Sequence, residues 1–366
     1  MAVLYAAITN HGFGHATRSA ALLSQLRTLY PEISLILATS APRWLLEEHL
    51  DGDFLLRERT FDVGAVQTDS LQINYDATLV RLHELRAQAE ELIREEVSFV
   101  RAQGVDLILA DIPPLLAAIA RAAGTPCWMF SNFGWDYIYG DWGGDFSPFA
   151  SWMAELYGHC DRLFRVPFHE PMTAFPQRED VGLIGSSPRF TAEQIRQHLG
   201  LSPERPTVLL TFGGFGLQQV PYERLAEFPD WQFLSFDANA PEVANLITVP
   251  RGEIRPVDVM PVCERIVAKP GYSTLAEACR VGVPVVCLTR EGFREADDLL
   301  RGLADCAQHR IVPAKDFYTQ PWDFLLEPLL PPQQREPLDC HGEWAIIGAI
   351  ADYLGLPQRG DAKRLS

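Results

Sequence analysis

Val3-Leu4-Tyr5-Ala6-Ala7-Ile8-Thr9-Asn10-His11-Gly12-Phe13-Gly14-His15-Ala16-Thr17-Arg18 is the stretch that decides the fold. Residues 3–9 read as a strand, and its unbroken apolar run from 3 to 8 is the signature of burial on both faces. Residues 17–29 place Ala20, Leu23 and Leu26 on one side, which predicts a helix. Strand, glycine turn and helix in that order open a βαβ unit. Gly12 and Gly14 allow a tight turn that brings backbone close to a ligand. The helix start offers N–H groups and a positive dipole end to an anion or polarised oxygen. The spacing is not G-x-G-x-x-G, so the dinucleotide fingerprint is absent. His11 and His15 flank the glycines, and either can act as a general base near neutral pH or simply cap the turn.

Outward from this motif the alternation continues. Strands are predicted at 33–39, 107–110 and 127–131, with helices at 79–102 and 115–122. Near-continuous apolar strands separated by helices imply a parallel sheet covered on both faces. Residues 164–185 are proline-rich and lack helical periodicity. The pattern then restarts, with strands at 207–211, 231–236, 266–268 and 285–289 and helices at 191–199, 222–227, 274–281 and 297–303. An apolar-faced helix follows at 343–353. The expectation is an α/β chain of two Rossmann-like domains facing across a cleft. Their bounds are 1–166 and 188–340, with a linker at 167–187. The segment 341–366 supplies a helix that packs back on the first domain.

With 366 residues, two domains fit the usual domain size. The chain carries 31 basic and 48 acidic residues, a formal net charge of −17. That field disfavours nucleic acid and anionic lipid, and any phosphate ligand must be held by local dipoles or single cations. The seven cysteines, Cys127, Cys160, Cys263, Cys279, Cys287, Cys306 and Cys340, form no C-x-x-C pair. They read as buried, unbridged thiols of a reducing compartment, with no metal site. No basic leader and no apolar run of about 18 residues occurs, so a cytoplasmic location is expected.

Four further motifs carry chemistry. Asp111 ends the apolar run Leu107-Ile108-Leu109-Ala110, where open α/β sheets place functional residues. It either orients an imidazole or caps the next helix. The polar segments 62–69, ending at Asp69, and 131–136, with Asn132, Trp135 and Asp136, suit acceptor binding or interface packing. Gly213 and Gly214 follow the strand predicted at 207–211. In Lys269-Pro270-Gly271-Tyr272-Ser273-Thr274-Leu275-Ala276-Glu277-Ala278, the residues Gly271, Ser273 and Thr274 form a diphosphate cradle at a helix start. Glu277, one turn on, is placed to accept hydrogen bonds from a ribose diol.

The ordered set of these motifs resembles the GT-B glycosyltransferases, of the UDP-glycosyltransferase and peptidoglycan N-acetylglucosaminyl transferase type. H-G-F-G-H-A-T-R, D-V-G-A-V-Q-T-D, S-N-F-G-W-D-Y-I-Y and G-Y-S-T-L-A-E-A are also similar to the glycosyltransferase-like N-terminal region of plant L-arabinokinase. The resemblance implies a base at His15, with His11 competing, oriented by Asp111. It implies donor contacts at Gly213, Gly214, Gly271, Ser273, Thr274 and Glu277, base recognition near Arg255, and a sugar contact at Glu295. The acceptor is implied near Gly12, Gly14 and the 131–136 segment. The family's Gln and Asn after the acidic residue are missing from 290–298. The implied activity is metal-independent transfer from a nucleotide-diphosphate sugar, a UDP-sugar in the first instance, to a hydroxyl of a small-molecule, lipid or glycan acceptor, without a further cofactor. A nucleotide-sugar epimerase or hydrolase, or a non-catalytic nucleotide-sugar-binding module, is the alternative.

Overall fold

The structure is a computed structural model and describes residues 2–214, 216–217, 219–334, 336–357 and 359. Thirteen strands in these residues form two sheets, and every pairing between them is parallel. The first sheet contains β1 (Val3–Ile8), β2 (Ser34–Ala38), β3 (Leu55–Arg57), β4 (Leu107–Asp111), β5 (Cys127–Ser131), β6 (Arg162–Arg165) and β7 (Arg178–Asp180). The second contains β8 (Thr207–Thr211), β9 (Gln232–Ser235), β10 (Leu246–Thr248), β11 (Arg265–Ala268), β12 (Val285–Leu288) and β13 (His309–Val312). The helices are α1 (Gly12–Leu29), α2 (Arg43–Glu47), α3 (Tyr75–Ala102), α4 (Leu115–Ala123), α5 (Trp135–Trp142), α6 (Ser147–Tyr157), α7 (Ala192–Leu199), α8 (Pro256–Val259), α9 (Tyr272–Val281), α10 (Glu295–Cys306), α11 (Ala314–Thr319) and α12 (Glu343–Tyr353).

The strand orders are β3-β2-β1-β4-β5-β6-β7 and β10-β9-β8-β11-β12-β13. Each sheet starts in its middle, grows to one side, then reverses past the first strand. The reversal opens a crevice at the carboxyl ends of β1 and β4 in one sheet and of β8 and β11 in the other, where open α/β sheets bind ligands. All five residues of β4 and all four of β11 are buried, as the apolar runs require.

The chain divides into two compact units. The first comprises Met1–Val66, Ile73–Ile184 and Asp339–Ser366; the second comprises Gln67–Gln72 and Gly185–Leu338. The proline-rich stretch therefore does more than connect. It contributes β7, paired with β6, before the chain enters the second unit. The C-terminal helix belongs to the first unit and packs on α1. Its approach is fixed by Leu183 N–H donating to the Asp339 carbonyl and Gly342 N–H donating to that of Leu183, both at 2.8 Å. Gln358 and residues 360–366 of the tail lie outside the described residues.

Candidate active site

In the first unit, β1 ends on Ile8 and the chain turns at Gly12, whose φ of +72° falls in the left-handed region open to glycine. α1 starts there, five residues earlier than periodicity predicts. Gly14 consequently sits exposed in the first turn, and His15 projects from the same turn into the protein. His15 Nδ1 lies 2.9 Å from Asp111 Oδ1 at the end of β4. Asp111 does not cap α4, whose N-cap is Pro114 without a side-chain bond. Its two oxygens are instead filled by Arg18 Nε at 2.7 Å, Arg18 Nη2 at 2.5 Å and Ser19 Oγ at 3.0 Å, besides His15. Burial opposes the charge, but the Arg18 and His15 partners win and hold the carboxyl at about 2. Asp111 is thus an anion throughout the physiological range. The next residue, Ile112, has φ +73°, a strained conformation for a β-branched side chain. Tyr157 Oη donates to its carbonyl at 2.9 Å.

The two histidines are distinguished by their hydrogen bonds. Ala65 N–H donates to His11 Nδ1 at 3.2 Å, so the neutral ring carries its proton on Nε2 and offers no lone pair there. A Cβ on Gly64 would come within 2.9 Å of the His11 Cβ, so the ring is also wedged by the loop. With His15 Nδ1–H donating to Asp111, Nε2 of His15 holds the lone pair that a general base needs. Arg18 Nη2 lies 3.0 Å from the same Nδ1 and competes for it when the imidazole is in the other tautomer.

Arg18 and Ser19, which composition and motif reading passed over, therefore complete the cluster. Asn132 is fully buried and accepts Arg18 Nη1 at 2.9 Å, so its place is behind the dyad. Trp135 is likewise fully buried, inside helix α5 rather than an open loop. Its Nε1 donates to Asp62 Oδ2 at 3.0 Å and its ring stands edge-on to His11 at 5.1 Å between centroids. It presents no face to an acceptor and instead braces His11. Asp136, half-buried in the first turn of α5, has its carboxyl raised by burial to about 6.

In the second unit the equivalent crevice is lined differently. Gly213, at φ +76° after β8, allows the loop to lie against Lys269, whose Cε would stand 2.9 Å from a Cβ there. Gly271 is the N-cap of α9, no side chain caps this helix, and its first turn holds no acidic residue. Ser273 is buried in that turn and Thr274 is half-buried. Lys269 lies between the two glycines. Burial lowers its ammonium to about 8, helped by the Arg290 charge and resisted by Glu295. Sequence reading assigned it no role, although a lysine directly after an apolar strand and before glycine was a visible signal. Gly214 continues the turn, and Phe215 lies outside the described residues.

Glu277 accepts Ser186 N–H at 3.2 Å, and burial raises its carboxyl to about 7. Glu295 is buried at the start of α10. Arg255 turns its guanidinium onto Asp258 at 3.1 and 3.2 Å and onto the Ser187 carbonyl at 2.8 Å, so its side chain fixes the loop before α8. Asp69 is placed in the second unit, whereas Gly12, Gly14, Asn132, Trp135 and Asp136 belong to the first. Its Oδ1 accepts the N–H groups of Leu71 and Gln72 at 2.8 and 2.9 Å and closes a turn, while neighbouring Ser70 donates to the Phe212 carbonyl at 2.7 Å.

No family profile matches the chain. A curated relative, L-arabinokinase of Arabidopsis thaliana, is 28% identical over 331 residues, which cover 87% of this chain and 31% of the relative. The chain thus spans about a third of that protein's length. Among solved structures, the calicheamicin glycosyltransferase CalG4 superposes with a TM-score of 0.62 at 15% identity, over 98% of this chain and 99% of that one. A putative UDP-N-acetylglucosamine 2-epimerase from Listeria monocytogenes gives 0.59 at 12% identity, over 96% of each chain. No helix among the described residues is long and apolar enough to cross a membrane. With its two parallel-sheet units the chain has the GT-B fold of the calicheamicin glycosyltransferase structure.

Proposed function

We propose that the chain transfers a sugar from a nucleotide-diphosphate donor, a UDP-sugar, to an acceptor hydroxyl without a metal. The observation that carries this reading is the buried His15–Asp111 pair at the crevice of the first sheet. His15 Nε2 takes the hydroxyl proton, and the acceptor oxygen forms its bond to the anomeric carbon as the bond to the diphosphate breaks. Asp111, kept ionised, stabilises the imidazolium. In the second unit, Gly213, Gly271, Ser273, Thr274 and Lys269 hold the departing diphosphate on the uncapped start of α9. Glu277 takes the ribose, backbone at 255–259 takes the base, and Glu295 touches the sugar. Gly12, Gly14 and Asp136 border the acceptor.

A second reading has its own observation. Arg18 occupies both oxygens of Asp111 and contacts His15 Nδ1, which weakens the dyad as a base. A module that binds a nucleotide sugar without transfer, or an epimerase or hydrolase acting on the donor alone, keeps the same second unit. Isothermal titration with UDP and UDP-sugars, followed by product analysis with and without acceptors, separates them. Transfer that His15→Ala abolishes while UDP binding persists is the expected result. Donor turnover without acceptor, or binding with no turnover, selects the second reading; absence of UDP binding sinks both.

A further inference from the structure

Cys279 lies in the third turn of α9, and Cys306 is the last residue of α10. Their sulfurs are 3.2 Å apart, both side chains are partly exposed, and neither is bridged. A disulfide requires the sulfurs to close to about 2.05 Å, a small movement of two side chains already facing each other. We propose that Cys279 and Cys306 form a reversible thiol–disulfide site that takes a low-molecular-weight disulfide, such as oxidised glutathione, as its oxidant.

The remaining cysteines mark the contrast. The hydrogen bond with Cys279 lowers the Cys306 thiol from its ordinary value, against partial burial and the Asp305 charge. The Cys127 thiol, by comparison, is pushed up by its hydrogen bond with Cys160 and by burial, and burial alone raises Cys263 and Cys287. The attacking group is therefore Cys306. Its thiolate attacks one sulfur of the oxidant, forms a mixed disulfide and expels one thiolate. Cys279 then loses its proton and attacks the Cys306 sulfur, expelling the second. Two protein thiols are oxidised by two electrons, and one small disulfide is reduced to two thiols. The product ties α9, whose N-cap is Gly271, to α10, which begins at Glu295. It constrains the unfolded chain across the intervening segment. The site does not depend on what the second unit binds.

Intact chain is incubated with oxidised glutathione, alkylated and mapped by non-reducing peptide mass spectrometry. The expected product is a Cys279–Cys306 linked peptide with a rise in Tm of about 5 °C, reversed by dithiothreitol. Cys279→Ser is expected to stop at a glutathione adduct on Cys306, and Cys306→Ser to give neither adduct nor link. A wild-type digest lacking the 279–306 link, or carrying stable adducts on both cysteines, overturns the proposal. The wild-type digest decides the matter even if a variant misfolds.

Discussion

Arg18 shows how much one side chain can decide. It is 2% exposed and lies three residues after His15 on α1. An arginine in a helical pattern ordinarily reads as solvated, yet this one is held between Asp111, Asn132 and Ser131. Removing it leaves a buried carboxylate with only His15 and Ser19, and breaking a buried pair typically costs about 3 kcal/mol. Arg18→Ala is therefore expected to lower unfolding free energy in urea by about 3 kcal/mol at pH 7. The folded Asp111 carboxyl titrates near 2, below its ordinary 3.8, so the stability it adds is present above pH 4 and is lost as pH falls towards 2. The gap between wild type and Arg18→Ala should accordingly narrow in urea titrations between pH 4 and pH 2.5. His15 and Asp111 were legible as motif positions, because their chemistry is written in residue type and strand end. The difference in hydrogen bonding between His15 and His11 was not, since it rests on Ala65, 54 residues from His11, donating to one ring nitrogen of His11.

At the scale of the element, α9 and the strand before it behave as a unit. A strand end, Lys269, Gly271 and an uncapped helix start gather one ammonium and a set of N–H dipoles at one place. If the ammonium contributes to diphosphate binding, its titration near 8 sets a pH limit: the charged form exists below 8 and is lost above it. UDP affinity measured by calorimetry is expected to weaken by up to tenfold per unit above pH 8.5, a range in which Glu277, raised to about 7, is already ionised and adds no further change. Lys269→Arg should remove that dependence, because a guanidinium stays charged. An unchanged pH profile in the variant rejects Lys269 as the phosphate cation. Helix and strand positions followed from periodicity wherever an apolar face was continuous, as in α12, predicted and found at 343–353. Helix α5 escaped that reading. Its aromatic residues Trp135, Tyr139 and Trp142 stand at the i, i+4, i+7 spacing of one helix face and pack on one another and on Phe146, but the eight-residue element lies between Gly134 and Gly143, which read as loop signals.

At the scale of the molecule, the chain returns at its end to the unit in which it began. Gly342 has its backbone against Gly182: a Cβ on it would stand within 2.0 Å of the Gly182 oxygen. Gly342→Ala is expected to loosen the seating of α12, whose Ile346, Ile347 and Ile350 are buried in the first unit. Hydrogen exchange should show α12 and the facing part of α1 opening, with the second unit unaffected. Equal protection of α12 in wild type and variant contradicts this. The net charge of −17 sets no such local feature; it governs solubility and long-range repulsion.

The two α/β units, their parallel sheets, the strand end at Asp111 and the strand-to-helix turns at His15 and Gly271 are legible in the sequence, because apolar periodicity and glycine placement act locally along the chain. The tertiary structure alone decided which groups meet. It brought Arg18 onto Asp111, set Asn132 and Trp135 behind the histidines, and gave Gln67–Gln72, with Asp69, to the second unit. It also placed the Cys279 and Cys306 sulfurs 3.2 Å apart. Those contacts join residues distant in sequence through burial and hydrogen-bond pairing, and no local pattern encodes which distant partner a buried polar group will find.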